Sequence, residues 1–355
     1  MTKKERMYHA IHHQPVDKVP KGELAIDAAL ANRLLLGGYS EEFQDFEREL
    51  AVRELLHMDF INIGDWPSKQ VGRTEQGDAI YKSNYGETYV YNGKTKEILK
   101  PSVEDIEDAE SYPVPEIGNV SVKLMERFAK ETDLFLFAQI GGPISMVNEM
   151  LGMEDYMVYT MTNPEEIVIL VKKIMRYEIE KAKLFLDAGA DAILLADDMA
   201  FHAGLFLPPP VMDEVAWPFY QQAVAEIKAC KDAPVILHTD GNIKKALGQI
   251  AACGFDGIHS LQPSAGMDLR EVKASYGDKL CLIGNIDLDY VLPFGTEEEV
   301  RAAVTDAIQI GGMEGGYILS TCNILMDSIP EKNVFAMYET AENSLSPFTP
   351  KRRYV

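Results

Sequence analysis

The sequence predicts an α/β protein built as a (β/α)8 TIM barrel, and three observations support this fold class. From about residue 134 onward, short apolar runs alternate with longer amphipathic segments, a pattern typical of a parallel sheet covered by helices. Eight apolar runs can be assigned along the chain, and eight strands can close a barrel. The 355 residues are enough for a barrel of about 250 residues with roughly 100 residues of additions.

The predicted strands are short apolar runs. Six of them lie in the later part of the chain: LFLFAQ at 134–139, AILLA at 192–196, VILHT at 235–239, GIHS at 257–260, CLIGN at 281–285 and GYILS at 316–320. Two more candidates, at 22–26 and 59–64, complete the set. The residues before the first candidate then form an N-terminal extension of the barrel.

Longer segments between these strands carry apolar residues at spacings of three and four, which predicts helices. They lie at 164–186, 210–230, 243–252 and 296–310. Glutamates follow Asn163-Pro164 and Thr296, and acidic residues at these positions favour the positive end of a helix.

Residues 79–98 are rich in Tyr, Thr and Val and contain Asn92-Gly93, so they predict a β-hairpin inserted between barrel units. We expect this hairpin to be a lid or an edge decoration. No Ser/Gly-rich linker or charge block divides the chain, and residues 1–355 are therefore expected to form a single domain.

The composition excludes several classes of partner. A net charge of −22, from 34 Lys and Arg against 56 Asp and Glu, repels nucleic acid and acidic membrane surfaces. No apolar segment approaches the 18 or so residues of a membrane-spanning helix, and the first residues do not resemble a signal peptide. We therefore expect a cytoplasmic protein. The four cysteines are widely spaced without a CxxC pair, which argues against a disulfide scaffold.

Active sites of TIM barrels lie at the carboxyl ends of the strands, so polar residues after the predicted strands are the candidate site residues. In chain order they are Glu23, Asp65, Asp197, Asp198, His238, Asp240, Gln262, Asn285, Asp287 and Cys322. Such a residue can instead cap the following helix, and that alternative stays open for Asp197, Asn285 and Asp287. His259 lies within a strand, and we expect it to be a satisfied core residue.

Three of these candidates are the predicted metal ligands. His238, Asp240 and Cys322 would converge on one barrel mouth, and three protein ligands with an open fourth position are typical of catalytic zinc sites. We assign acid/base roles to Asp198, Glu23 and Asp65. Substrate binding is assigned to Gln262, Asn285 and Asp197.

Blocks of sequence with a specific order occur between about residues 130 and 340. They are Gly141-Gly142-Pro143 with the helix that follows, AGADAILLADD, PVILHTDGNI, GFDGIHSLQP, KLCLIGNID and GGYILSTCN. In this combination the chain resembles the uroporphyrinogen decarboxylase superfamily. The resemblance implies a TIM barrel independently of the strand count.

Two branches of the superfamily are relevant. True decarboxylases carry an arginine-rich block of the type RQAGRY near the first strand, whereas the corresponding stretch here, DKVPKGELAIDAAL, has no arginine before Arg33. The other branch contains methylcobalamin-dependent methyltransferases, whose zinc motif is similar to His-x-Cys, a Glu some twenty residues later and a Cys after the last strand. By this resemblance His238 and Cys322 are the ligands, with Asp240 in place of the second Cys and Gln262 in place of the Glu.

The resemblance therefore implies a methyltransferase that moves a methyl group between a corrinoid-binding protein and a small molecule, with zinc as the expected metal. The methyl acceptor or donor is a thiol, tetrahydrofolate or a methyl ether, and the sequence does not choose among them or give the direction of transfer. A methylated corrinoid is expected to dock over the barrel mouth against residues 79–98. Two alternatives remain: a uroporphyrinogen decarboxylase-type lyase, and a non-catalytic corrinoid- or metabolite-binding relative.

Overall fold

Parallel strands form the centre of the computed structural model, which describes residues 1–91 and 96–348. In these residues the strands are β1 (Phe60–Gly64), β2 (Ser68–Arg73), β3 (Ala79–Ser83), β4 (Thr88–Tyr91), β5 (Lys96–Lys100), β6 (Phe135–Gly141), β7 (Ala192–Ala196), β8 (Ala200–Phe201), β9 (Gly204–Leu205), β10 (Val235–Thr239), β11 (Gly257–Ser260), β12 (Cys281–Ile286) and β13 (Tyr317–Thr321).

Seven of these strands form one parallel sheet in the order β1-β6-β7-β10-β11-β12-β13. The segment that precedes β1 touches both edge strands, because Lys21 forms a parallel bridge with Leu319 and Gly22 forms one with Phe60. The predicted α/β fold with a parallel sheet is thus confirmed. The eighth position is taken by isolated bridges at Lys21 and Gly22 instead of the strand predicted at 22–26.

Helices precede β1, follow β13 and connect most of the consecutive strands of the parallel sheet. They are α1 (Lys3–Ile11), α2 (Ala28–Leu34), α3 (Phe46–Leu55), α4 (Lys123–Glu131), α5 (Pro143–Leu151), α6 (Met153–Thr162), α7 (Pro164–Asp187), α8 (Pro209–Val215), α9 (Trp217–Cys230), α10 (Leu247–Ala252), α11 (Leu269–Tyr276), α12 (Val291–Phe294), α13 (Glu297–Gly312) and α14 (Glu331–Asn343). Short 3-10 turns lie at Ile106–Ser111, Ile117–Asn119 and Pro263–Ala265.

The predicted helices at 164–186 and 296–310 coincide with α7 and α13. The one predicted at 210–230 is divided into α8 and α9, because Ala216 leaves helical geometry just before Trp217-Pro218, where proline lacks the N–H that a continuous helix needs. None of the described helices is both long enough and apolar enough to cross a lipid bilayer.

Strand side chains alternate between two apolar clusters. Leu194 and Ile236 belong to a cluster inside the sheet, whereas Ile193 and Leu195 belong to the cluster between the sheet and the helices. Residues of α1 pack into the inner cluster, so the N-terminal extension covers the amino ends of the strands. This leaves the carboxyl ends open for a site.

The predicted hairpin at 79–98 is part of a larger unit. Strands β2, β3, β4 and β5 form a four-stranded antiparallel sheet that starts at Ser68, because β2 pairs with β3 and extends the meander by one strand. Register shifts occur near Gln70 and near Thr88. The predicted turn at Asn92-Gly93 lies outside the described residues.

Candidate active site

A cavity of about 660 Å³ lies at the carboxyl ends of the barrel strands. One wall comes from the ends of β6, β7 and β10, through Gln139, Asp198 and His238. The opposite wall comes from the four-stranded sheet and from α5. The residues of this second wall include Trp66, Tyr85, Glu87, Tyr89, Tyr91, Lys96 and Glu149.

Asp198, His238 and Asp240 come together at this cavity. One potential ligand atom from each lies within 4.8 Å of the other two, and no other such group of three occurs among the described residues. Asp198 is exposed and the other two are half-buried. A hydrogen bond of 3.0 Å from the backbone N–H of Asp240 to Asp198 Oδ1 ties the two loops together.

These residues fit a divalent cation such as zinc. Asp240 Oδ1 is buried and has no hydrogen-bond partner within the described structure, and buried polar atoms rarely remain unpaired. The other oxygen of this carboxylate accepts a hydrogen bond of 2.5 Å from Asn323 Nδ2, which orients the group. One imidazole and two carboxylates are ligands that zinc accepts, and three protein ligands leave a fourth position for substrate.

His238 has a histidine partner. Its Nδ1 lies 2.7 Å from Nδ1 of His259, which stands opposite it in the β10–β11 register. Burial, and then the neighbouring His238, hold the pKa of His259 well below its usual value, so His259 is neutral. The expected core position of His259 agrees with its full burial, but its contact with His238 was missed. Since Nδ1 of His238 is engaged, Nε2 is the nitrogen left for a metal.

Cys322 does not belong to this group, although the sequence places it with His238 and Asp240. Its side chain is buried, and burial raises the pKa of its thiol to about 12. Its neighbour Asn323 makes the contact with Asp240 instead. In the structure Asp198, and not Cys322, lies close to His238 and Asp240.

Asp197 binds the beginning of α5. Its carboxylate accepts hydrogen bonds from the backbone N–H groups of Ile144 (3.1 Å) and Ser145 (2.5 Å), and from the hydroxyl of Tyr220 (2.5 Å). Burial raises the pKa of Asp197 to about 6, although these hydrogen bonds oppose the shift. A Cβ at Gly142 would lie 2.4 Å from Asp197, so this glycine is required for the close approach. Asp197 thus caps a helix, but the helix is α5, which precedes it in the chain, and not the following helix that the capping alternative named.

Glu23 is fully buried beneath the last strand. It accepts hydrogen bonds from Thr321 Oγ1 and from the hydroxyl of Tyr338, both at 2.6 Å. Burial raises its pKa to about 7. Asp65 is half-buried and accepts a hydrogen bond of 3.0 Å from the backbone of Ser121. Neither residue lines the 660 Å³ cavity.

Gln262 and Asn285 bind the backbone of neighbouring loops. Gln262 Oε1 accepts a hydrogen bond of 3.1 Å from Gly241 N–H, and Asn285 Nδ2 donates to the carbonyl oxygen of Leu261 at 2.6 Å. Asn285 lines a second cavity of about 330 Å³ next to α13, away from His238. Asp287, which also lines that cavity, accepts hydrogen bonds from the N–H groups of Tyr290 and Val291.

The aromatic and charged residues of the sheet wall were missed by the sequence analysis. The sequence did contain a signal for them. Within the predicted hairpin, Tyr81, Tyr85, Tyr89 and Tyr91 are separated by even numbers of residues. Alternate residues of a strand share one face, so at least some of these rings had to line a common surface.

Comparison with known proteins identifies the family. The model of the uroporphyrinogen decarboxylase (URO-D) family matches residues 86–344. The chain belongs to this family. The predicted resemblance to the superfamily is thus confirmed.

Individual relatives include methyltransferases as well as decarboxylases. The chain is 24% identical over 352 residues to the methylcobamide:CoM methyltransferase MtbA of Methanosarcina acetivorans, covering 96% of this chain and 98% of the relative. It is 27% identical over 182 residues to the uroporphyrinogen decarboxylase of Crocosphaera subtropica, covering 51% and 48% of the two chains. A solved structure of a methyltransferase from Methanosarcina mazei superposes with a TM-score of 0.74 at 20% identity, covering 96% of this chain and 98% of that one, which shows a shared fold.

Proposed function

We propose that this protein is a methyltransferase that moves a methyl group between a corrinoid carried by a partner protein and a small molecule. The observation that carries the proposal is the group of Asp198, His238 and Asp240 at the wall of a cavity large enough for such a molecule. The similarity to a methylcobamide:CoM methyltransferase over nearly the whole chain supports it. The small molecule is a thiol, tetrahydrofolate or a methyl ether.

Each residue of the site has a distinct part in this proposal. A divalent metal such as zinc, when bound, supplies a Lewis acid that stabilises a thiolate or the leaving oxygen of a methyl ether. Asp198, His238 and Asp240 hold it, and His259 orients the ring of His238. Asp198 is exposed to the cavity and can also exchange a proton with the substrate. Glu23 and Asp65 act through their neighbours, since neither faces the cavity.

The corrinoid-binding partner is proposed to dock over the carboxyl ends of the strands. Large apolar side chains are exposed in this region: Phe43 between α2 and α3 at the cavity, Phe201 and Tyr290 in the segments that follow β7 and β12, and Phe294 at the end of the short helix α12. Exposed apolar groups that surround a cavity are typical of interaction sites. We further propose that residues 1–355 work as one domain, a TIM barrel completed by the Lys21–Gly22 segment.

Uroporphyrinogen decarboxylation remains the second candidate, because curated decarboxylases are among the relatives. The described lining of the cavity does not favour it. Lys96 is the only Lys or Arg among these residues, and it is paired with Glu87 and Glu149. A substrate with many carboxylates would meet an acidic surface.

The test is methyl transfer under reducing, anaerobic conditions, followed by the absorbance of the corrinoid. The purified protein is mixed with a methylated corrinoid protein or with methylcobalamin, and with thiol or folate acceptors. We expect demethylation by the parent and by Asp278→Asn, which lies exposed in the loop before β12 at the opposite end of the barrel, and loss of activity in His238→Ala. Absence of demethylation with every acceptor, together with carbon dioxide release from uroporphyrinogen, would replace this proposal by the decarboxylase.

A further inference from the structure

The cavity wall formed by the four-stranded sheet is unusually aromatic. Tyr85, Tyr89 and Tyr91 of this sheet region line the cavity, together with Trp66 just before β2 and Phe43 in the loop between α2 and α3. The rings of Tyr89 and Tyr91 meet edge to face with centroids 5.5 Å apart, and those of Trp66 and Tyr85 are tilted at 6.3 Å. Tyr91 and Phe43 are exposed, so this side of the cavity opens to solvent.

The same cavity carries an excess of negative charge among its described residues. Glu87, Glu149, Asp197 and Asp198 line it, against Lys96 as the one Lys or Arg. In the metal-free protein such a lining favours small cations over sulfonates and carboxylates.

Lys96 shows how this wall accommodates an ammonium group. Its Nζ lies 4.7 Å from the centre of the Tyr89 ring and 2.9 Å from Glu87, and it also pairs with Glu149. Burial alone would lower the pKa of Lys96, but Glu149 and Glu87 outweigh burial and raise it. The surroundings therefore stabilise a positive charge, through carboxylates and through the face of an aromatic ring.

We propose that this cavity binds a small organic cation with methylated nitrogen or sulfur, a quaternary ammonium or sulfonium compound, against Tyr89, Tyr91 and Glu149. Aromatic rings with nearby carboxylates recognise such ions, because they cannot donate conventional hydrogen bonds and are weakly hydrated. The proposal that such a cation binds is argued from the cavity alone. The reaction of the bound cation rests on the proposed methyltransferase function.

Transfer of a methyl group from the bound cation to the corrinoid requires no proton. The electron pair of a cobalt(I) corrinoid on the partner protein attacks a methyl carbon, and a Co–C bond forms. The C–N or C–S bond breaks, and its electron pair stays on the heteroatom. The products are a methylated cobalt(III) corrinoid and a neutral amine or sulfide.

The experiment compares two ligands of the same shape and different charge. Choline and its neutral isostere 3,3-dimethylbutan-1-ol are titrated into the purified full-length protein by calorimetry, with ethanesulfonate as an anion of similar size. We expect choline to bind about tenfold more tightly than the isostere, as charge–ring and charge–carboxylate contacts together require, and ethanesulfonate not to bind. Equal binding of the isostere, binding of the sulfonate, or no binding of choline at millimolar concentration would overturn the proposal.

Substitutions then locate the site. Glu149→Gln and Tyr91→Leu should each weaken choline binding several-fold, and both side chains are partly exposed, so the fold tolerates the changes. Glu104→Gln is the matched control, because Glu104 is exposed, pairs with Lys100 and does not line the cavity. Trp66 is unsuitable, since its ring covers the buried Lys181 ammonium at 3.7 Å. Unchanged affinity in both variants would place choline elsewhere and overturn the assignment.

Because no corrinoid is present in this titration, its outcome is independent of the methyl-transfer assay. A protein that demethylates a corrinoid but does not bind choline would keep the proposed function and lose this ligand class.

Discussion

The Nδ1 atoms of His238 and His259 lie 2.7 Å apart, so one ring must donate a proton that the other accepts. Burial, and then His238, lower the pKa of His259, and its Nε2 is buried without a hydrogen-bond partner among the described residues. If His259 carries its proton on Nε2, its Nδ1 accepts from His238, and Nε2 of His238 is left with a free lone pair. A metal-binding histidine is commonly oriented in this manner by its second nitrogen.

His259→Leu should therefore weaken zinc binding by roughly 10- to 100-fold, because the ring of His238 loses the partner that fixes its orientation and tautomer. His259→Asn, which keeps a polar group, should lose less. Competition with a chromogenic chelator measures both affinities. Equal affinity in the parent and His259→Leu would show that the histidine pair does not support a metal.

Asp198→Asn and Cys322→Ser distinguish the ligand set found in the structure from the one expected from sequence. We expect Asp198→Asn to reduce zinc affinity at least about tenfold, since a neutral amide is a poor replacement for a carboxylate ligand. Cys322→Ser should leave it nearly unchanged, because this thiol is buried and its pKa is about 12. Elemental analysis after equilibration with zinc measures the zinc occupancy of each variant. A larger loss of zinc in Cys322→Ser than in Asp198→Asn would restore Cys322 as the ligand.

Asp240→Cys should tighten zinc binding if Asp240 is a ligand, because thiolate suits this ion better than carboxylate does. The gain should shrink as the pH falls, since the new thiol must lose its proton to bind. Titration of the parent and the variant at two pH values tests both points. A variant that binds no more zinc than the parent at any pH would remove Asp240 from the site.

Glu23→Gln should change the pH dependence of folding. The folded pKa of Glu23 is raised to about 7 from an ordinary value of 4.5, so the stability this neutral carboxyl contributes is complete below pH 4.5 and is lost as the pH rises through 7. Glutamine keeps the neutral form at every pH. Between pH 4.5 and 8 the parent should thus lose up to about 3 kcal/mol relative to the variant in urea unfolding. If the free energy of unfolding of the parent and of the variant changed in the same way with pH, the raised pKa of Glu23 would be contradicted.

Asp197→Ala should destabilise the fold by about 1–3 kcal/mol, because the first N–H groups of α5 and the buried hydroxyl of Tyr220 lose their acceptor. Tyr220→Phe removes only one of these hydrogen bonds and should cost less. Urea denaturation compares both with Asp278→Asn, which is exposed in the loop before β12. A full loss of methyl transfer in Asp197→Ala at unchanged stability would instead favour the substrate-binding role.

Much of the parallel sheet could be predicted from the sequence. The runs at 192–196, 235–239 and 257–260 coincide with β7, β10 and β11, because a strand covered on both faces requires a continuous apolar run that few other structures share. The first strand position differs, since Lys21 and Gly22 pair through single bridges that leave no periodic pattern. The four-stranded sheet was only half recognised, because β2 (SKQVGR) is polar and mostly exposed.

The α/β fold class and the family could be predicted from the sequence, because these depend on local periodicity and on the order of motifs along the chain. The sequence also singled out His238, Asp240 and Asp198 as polar residues at strand ends. Which of the candidates lie close together could be read only from the three-dimensional structure. Asp198 lies with His238 and Asp240 in place of Cys322, and His259 contacts His238, since distances between residues on different strands depend on register and on packing, which a linear pattern does not contain.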